Sequence, residues 1–240
     1  MNVLIVNYNT QRLTDCAIRS LNKHTPGCKV YVFDNSDKEP FRNDFANVEV
    51  IDNTHGQFIE WERWLNSFHD KYPNPSNNYG SAKHCKSVDI CFDLIPEGFL
   101  LMDSDVLIKK DVSDLFDENV AASGEIVAEN HYVIIPRLAP WLCYINVPLC
   151  MRRSIRYFNE THMWKLVDYC PNRFYDTGAW FLERLNIKKQ PVKKIKTEDY
   201  ALHLQNGSWR DRSQDEFLNK NMKLWQQKSL SAHTPISSVL

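Results

Sequence analysis

The stretch 97–108 reads EGFLLMDSDVLI, an apolar run that ends in two aspartates one residue apart, Asp103 and Asp105. A buried strand gains nothing from two carboxylates that repel each other, so their place in the sequence needs a physical reason. Paired carboxylates at the end of a strand suit a hard divalent cation such as Mg²⁺ or Mn²⁺. Asp-Ser-Asp, with Ser104 in the middle, is also common turn material, and the triplet by itself leaves both interpretations open.

Three earlier runs of the same kind predict that this strand belongs to a sheet. The four apolar runs, rich in β-branched or long aliphatic residues, lie at 3–6, 30–33, 48–51 and 99–102. Such continuous runs are typical of strands buried on both faces of a parallel sheet. Helices predicted from apolar residues at helical spacing cover 11–24, 57–72 and 81–95. The alternation of strands and helices predicts an α/β fold, with Ser81 as the N-cap of the third helix.

Small polar residues follow the predicted strands directly. They include Asn7 and Asn9 after the first strand, Asp34 and Asn35 after the second, and Asp52 and Asn53 after the third. Because parallel strands end at one edge of their sheet, where open α/β folds bind ligands, we expect these groups to share a site with the two aspartates. The helix over 81–95 begins at the same edge and brings Lys83 and His84 toward it.

The sequence offers no glycine-rich loop for phosphates. It contains no Walker A motif, no G-x-G-x-x-G after the first strand, and only 7 glycines in 240 residues. A metal ion together with Lys83 would have to hold phosphate groups instead. The Asp34–Asn35 pair is suited to hydrogen-bond a base or ribose, or else to form a turn.

The second half of the chain is less regular. Strands are predicted at 124–128 and 133–135, and a buried, partly extended segment at 140–150. Asp176 stands just before a predicted short helix over 179–185, where it could also serve as a cap. The stretch 210–228 has apolar residues on one helical face, and the last residues, 229–240, are predicted to be a flexible tail.

Composition excludes several classes of protein. The net charge of −1 argues against a dedicated nucleic-acid binder, which would usually be basic. No window approaches the roughly 20 apolar residues of a membrane-spanning helix, and the N-terminus does not resemble a signal peptide. The seven cysteines form no CxxC pair, which favours reduced thiols. We therefore expect a cytoplasmic protein, and a peripheral contact with the inner face of the membrane stays open as an alternative.

The segments VNYN, VFDNS, NTHG, YGSAKHC and LLMDSDV together resemble the nucleotide-sugar-binding half of GT-A glycosyltransferases, most closely those of family 2. The DSD triplet matches the DxD motif of that fold in place, at the end of the fourth strand. The resemblance implies a Rossmann-like, mostly parallel sheet flanked by helices, in one domain over 1–228. Its nucleotide-sugar-binding half would be 1–118, its acceptor-binding half 119–209, and its C-terminal helix 210–228.

Carried over residue by residue, the resemblance implies a donor site. Asn7 and Asn9 would line the nucleobase pocket, while Asp34 with Asn35 would contact the base or ribose. Lys83 would lie near the diphosphate of a nucleotide-sugar donor.

The resemblance also implies a site for Mn²⁺ or Mg²⁺ at the DSD triplet. Asp105 would bind the metal directly, and Asp103 with Ser104 would contact the ribose or a metal-bound water. His203, in HLQNGSW, would be a further metal ligand or a diphosphate contact. An ordinary surface histidine is the alternative for His203.

The implied activity is transfer of a sugar, from a UDP-sugar by preference, to a glycan or other hydroxyl acceptor in cell-surface polysaccharide synthesis. An inverting transferase needs a carboxylate base for the acceptor hydroxyl. Asp176 in YDTG is favoured for this role over Glu198 and Asp199 in KTEDY. Two alternatives stay open. A sugar-nucleotide nucleotidyltransferase is less favoured because NYNTQR is not glycine-rich, and the other is a non-catalytic nucleotide-sugar-binding protein.

Overall fold

The computed structural model describes residues 1–71, 79–128, 136–161, 166–167 and 170–204. Its strands are β1 (Asn2–Asn7), β2 (Lys29–Asp34), β3 (Val48–Asp52), β4 (Phe99–Met102), β5 (Val106–Ile108), β6 (Ala122–Val127), β7 (Arg137–Ile145), β8 (Leu166–Val167), β9 (Cys170–Phe174), β10 (Val192–Lys194) and β11 (Ala201–His203). Its α-helices are α1 (Gln11–His24), α2 (Trp61–Lys71), α3 (Tyr79–Leu94), α4 (Val147–Arg152) and α5 (Ala179–Ile187). Short 3₁₀ helices cover Ser113–Leu115 and Thr197–Asp199.

The main sheet has seven strands in the order β10-β6-β7-β4-β1-β2-β3. The four strands predicted in the first half are confirmed, and they pair in parallel as β4-β1-β2-β3. Asn7, Asp34 and Asp52 are direct neighbours in the register of β1, β2 and β3. The predicted α/β class is therefore confirmed, and the polar ends of these strands lie side by side at one edge, called here the carboxyl edge.

Strand β7 differs from the rest because it runs antiparallel to both of its neighbours, β4 and β6. It forms the extended part of the segment predicted at 140–150, and α4 follows from Val147. The strand predicted at 124–128 is confirmed as β6. The strand predicted at 133–135, the C-terminal helix at 210–228 and the tail at 229–240 lie outside the described residues.

Helix α1 covers the predicted range, whereas the other two helices of the first half differ from it. Helix α2 begins at Trp61, because the Asn53 Oδ1 atom accepts the amides of Phe58 and Ile59 and holds that segment as a turn. Helix α3 already includes Tyr79, so Ser81 lies inside it and the prediction of Ser81 as N-cap was wrong. The Ser81 hydroxyl donates instead to Asp176 Oδ1, at 3.0 Å.

The sheet separates two apolar clusters, since alternate residues of each strand point to opposite faces. On one face Leu4, Phe33 and Leu101 pack with α3 and α5, and on the other Ile5 and Leu100 pack with α1. All four residues of β4 are buried, and each such side chain contributes about 2 kcal/mol. The strand that leads to the two aspartates is thus fixed from both sides. Among the described residues, no helix is long and apolar enough to cross a membrane.

The start of β7 approaches the turn before α5 very closely. Gly178, at the N-cap of α5, has a φ of +82°, and a Cβ added there would meet the carbonyl oxygen of Leu138. The Leu138 amide donates to the Gly178 carbonyl, at 3.4 Å. Only glycine satisfies both the positive φ and the close approach, and this contact sets Arg137 beside Asp176.

Gly178→Ala should destabilise the fold far more than Gly27→Ala. Both glycines have positive φ, but a Cβ at Gly27 meets nothing within 4 Å. The shared backbone strain costs about 1–2 kcal/mol, and the clash with Leu138 adds about 1–3 kcal/mol at Gly178 alone. Urea denaturation of both variants measures the difference, and equal losses would contradict the close approach.

Candidate functional site

The DSD triplet forms a tight turn between β4 and β5. The Val106 amide donates to the Asp103 carbonyl, and the Asp103 amide donates to the Trp141 carbonyl on β7, both at 3.2 Å. Ser104 and Asp105 are buried, and Asp105 is only 2% exposed. A turn and a cation site are therefore compatible interpretations of the triplet, because the turn presents both carboxylates at the carboxyl edge.

His203 reaches this turn through the pairing of β11 with β5. The two strands are antiparallel, with His203 opposite Val106, and the Leu204 amide donates to the Asp105 carbonyl at 2.9 Å. His203 Nε2 lies 3.3 Å from Asp105 Oδ1. Asp103, Asp105 and His203 each offer one ligand atom, and these three atoms lie within 4.8 Å of one another. Two carboxylate oxygens and an imidazole nitrogen at this spacing fit Mn²⁺ or Mg²⁺.

Basic side chains surround Asp103 and offset its burial. Burial by itself raises the pKa of Asp103, but the contact with His84 and the charges of His84, His203 and Arg137 outweigh it and hold that pKa below the usual value. His84 Nε2 lies 3.4 Å from Asp103 Oδ1. Burial lowers the pKa of His203, yet its hydrogen bond to Asp105 and the two carboxylate charges outweigh it and raise that pKa. The site therefore favours a charged Asp103.

Trp141 forms one wall of the site, and the sequence analysis missed it. Its ring stacks on His203 with centroids 5.0 Å apart and an interplanar angle of 21°. Its Nε1 donates to the Thr197 hydroxyl at 3.0 Å, which fixes the ring. The guanidinium of Arg137, also missed, lies 5.6 Å from the ring centroid. A single charge at the start of the apolar strand RLAPWLCYI was the signal that could have indicated Arg137.

Asp176 lies beside this wall and joins three elements. Its carboxylate pairs with Arg137 of β7, and its Oδ1 accepts from the Ser81 hydroxyl of α3 and from the Thr177 amide, at 3.0 and 2.7 Å. Its side chain is half-exposed. Asp176 is thus linked through Arg137 to Trp141, the wall of the site.

Glu198 and Asp199 are not brought to the DSD turn. Both are exposed on the 3₁₀ helix that precedes β11. Because β11 runs antiparallel to β5, they stand at the end of β11 that faces Ile108, whereas His203 stands at the other end. The structure therefore separates this pair from the three residues that share one cluster.

Asn7 and Asp34 are buried in a polar network. Asp34, fully buried, accepts from the Asn7 Nδ2 atom at 2.8 Å, from the Ser36 hydroxyl at 2.6 Å and from the Phe41 amide at 2.7 Å. Asn7 Oδ1 accepts from the Thr10 hydroxyl at 2.7 Å. These bonds hold the loops that follow β1 and β2 in place.

Asn35 is also a buried residue with several polar partners. Its Nδ2 donates to the Ser87 hydroxyl at 2.8 Å, and its Oδ1 accepts from Asn53 Nδ2 at 2.8 Å and from Trp61 Nε1 at 3.2 Å. Asn35 therefore connects the end of β2 to α3 and to the loop after β3.

A more accessible group stands in front of this buried network. Tyr8 is 45% exposed, and its hydroxyl donates to Asp37 at 2.6 Å, which raises the pKa of Tyr8 to about 12. Asn9, with a φ of +56°, donates to the same carboxylate at 2.6 Å. Lys83 Nζ lies 5.7 Å from the Tyr8 ring and 5.6 Å from the Trp61 ring, and burial lowers the pKa of Lys83. The sequence analysis identified Asn9 and Lys83 but missed Tyr8.

Comparison with solved structures identifies the fold. The chain is similar to the galactosyltransferase LgtC, solved in complex with donor and acceptor sugar analogs, with 14% identity over 82% of this chain and 74% of LgtC, at a TM-score of 0.50. An active-site mutant of LgtC gives 15% identity over 82% and 73% of the two chains, at a TM-score of 0.51. No protein-family model matches the sequence, and no curated protein gives a significant match. The predicted GT-A glycosyltransferase fold is confirmed, and identity at this level shows the fold alone.

Asp34→Ala should destabilise the fold by about 3 kcal/mol, because several buried donors lose their acceptor. Asp44→Ala is the control, since Asp44 is exposed; its cost should stay within about 0.5 kcal/mol. Chemical denaturation measures both. A small loss for Asp34→Ala would show that its carboxylate does not support the loops and is available to a ligand.

Proposed function

We propose that the protein is a metal-dependent glycosyltransferase that moves a sugar from a nucleoside-diphosphate donor, with a UDP-sugar favoured, to a hydroxyl of a glycan acceptor. The observation that carries this proposal is the cluster of Asp103, Asp105 and His203 at the carboxyl edge of a GT-A sheet. Residues 1–118 would bind the donor and 119–209 the acceptor. A role in polysaccharide synthesis at the cytoplasmic face of the membrane belongs to the same proposal.

Asp105 and His203 would hold the metal directly, and Asp103 would complete the set from the other side of the turn. The bound ion would supply positive charge to the phosphate oxygens of the leaving diphosphate. The protein's own part is to hold these atoms in place. The stacking of Trp141 on His203 and the contact of His84 with Asp103 support such fixed positions.

The nucleoside would lie over Tyr8, whose exposed ring offers a face for base stacking. Asn9 would bind the nucleobase or ribose beside it, and Lys83 would face the phosphates. Asn7, Asp34 and Asn35 would not contact the donor; they would fix the loops that carry the ligand-facing side chains. This division of roles agrees with the burial of the three residues.

Deprotonation of the acceptor hydroxyl requires a base on the acceptor side. Of the three carboxylates predicted for this role, Asp176 is linked to Trp141 at the site, through its ion pair with Arg137. Glu198 and Asp199 would need a large rearrangement of β11 to take part. An inverting reaction with Asp176 as base is therefore the simplest form of the proposal.

UDP with Mn²⁺ should raise the melting temperature of the protein. At a ligand concentration 100 times its Kd, the gain is about 2.7 kcal/mol, or roughly 5–10 °C for a chain of this size. Asp105→Ala should abolish both this shift and the metal-dependent hydrolysis of a UDP-sugar. Asp44→Ala, which removes an exposed carboxylate, is the control and should retain both.

Two outcomes would contradict the proposed function. One is the absence of a thermal shift with either UDP or GDP in the presence of Mn²⁺. The other is unchanged donor hydrolysis in Asp105→Ala. Binding of UDP without hydrolysis or transfer of any nucleotide sugar would instead support the non-catalytic alternative.

A further inference from the structure

Arg137 occupies a position that its ion pair with Asp176 does not fully explain. Its guanidinium packs against Trp141, whose ring stacks on His203, and pairs with Asp176. Its Nε atom is buried and has no hydrogen-bond partner within the described part of the chain. Arg137 thus lies between Asp176 and Trp141, and its Nε–H is a buried donor that a ligand could accept.

The charge balance of the site requires more cations than the proposed metal provides. A divalent ion at Asp103 and Asp105 would only neutralise those two carboxylates. The diphosphate of a donor would bring further negative charge, and this charge grows when the sugar leaves. Fixed cations near the turn would therefore have to balance the leaving group.

Lys83 and Arg137 have different neighbours in the structure. Lys83 lies close to the rings of Tyr8 and Trp61 and interacts with Asp37, which assigns it to the nucleoside side. Arg137 lies on β7 instead, beside Trp141 and Asp176. A planar guanidinium can bind two phosphate oxygens at once, which an ammonium group cannot do.

We propose that Arg137 binds the diphosphate of the donor from the acceptor side, and that Asp176 is the positioning residue that holds its guanidinium there. This inference rests on the proposed function and changes the role given to Asp176. An acceptor hydroxyl would have to compete for the Asp176 carboxylate with Arg137, the Ser81 hydroxyl and the Thr177 amide. A carboxylate that already accepts from three donors is better suited to orient an arginine than to bind a hydroxyl.

A purely structural ion pair is the alternative to this role. The Leu138–Gly178 hydrogen bond and the Ser81–Asp176 hydrogen bond already join β7, α3 and the turn before α5. If the pair is purely structural, its loss would lower the stability of the fold. Binding of UDP and binding of uridine would then weaken by the same factor. A phosphate-binding arginine would affect the diphosphate alone.

The test compares UDP with uridine. Affinities in Mn²⁺ would be measured by titration calorimetry for UDP and by NMR titration for uridine. Arg137→Gln should weaken UDP binding about tenfold or more, as expected for loss of a charged hydrogen bond, with uridine binding unchanged. Asp176→Asn should weaken UDP binding less, by about three- to tenfold, and also leave uridine binding unchanged. Arg137→Lys, which keeps the charge but not the planar fork, should fall between wild type and Arg137→Gln.

Arg156→Lys is the matched control, because Arg156 also pairs with carboxylates, Asp89 and Asp93 of α3, and lies outside the proposed site. It should bind UDP like the wild type. Equal UDP affinity in Arg137→Gln and wild type would overturn the inference. An Asp176→Asn variant with full UDP affinity and no transfer would return Asp176 to the role of base. A wild-type protein that binds neither UDP nor GDP would contradict the proposed function itself.

Discussion

Two carboxylates at the end of a fully buried strand repel each other, and the rest of the site compensates for that repulsion. The compensation comes from three different parts of the fold. His84 is supplied by α3, Arg137 by β7 and His203 by β11. Because each of these basic side chains depends on a separate packing contact, the electrostatics of Asp103 and Asp105 are sensitive to the whole arrangement of helices and strands around β4.

The polar residues at the carboxyl edge fall into two layers with different tasks. The inner layer, with Asn7, Asp34 and Asn35, is buried and hydrogen-bonded to its own loops. The outer layer, with Tyr8 and Lys83, is positioned by that network and is more open to a ligand. The parallel register of β1 and β2 makes this possible, since it sets Asn7 and Asp34 directly opposite each other.

The sequence predicted most of the first half because local patterns determine it. Apolar runs identified β1 to β4, and helical spacing gave the bounds of α1. The N-cap assigned to Ser81 failed because that hydroxyl bonds to Asp176, far along the chain. Arg137 and Trp141 were missed for a related reason: both lie on β7, and no local pattern reveals its antiparallel pairing with β4 and β6. Similarly, the separation of Asp199 from His203 follows from the direction of β11.

The short pairing of β11 with β5 also has a consequence for the order in which the protein is made. Asp103 and Asp105 follow the parallel strands β1 to β4, which come from the first part of the sequence. These strands can assemble during synthesis. His203 joins them only after a much longer segment has been translated, and the ribosome must release it before the pairing can form. A nascent chain therefore carries Asp105 before His203 is available, and the cluster of Asp103, Asp105 and His203 is completed only after β1 to β7 have been translated.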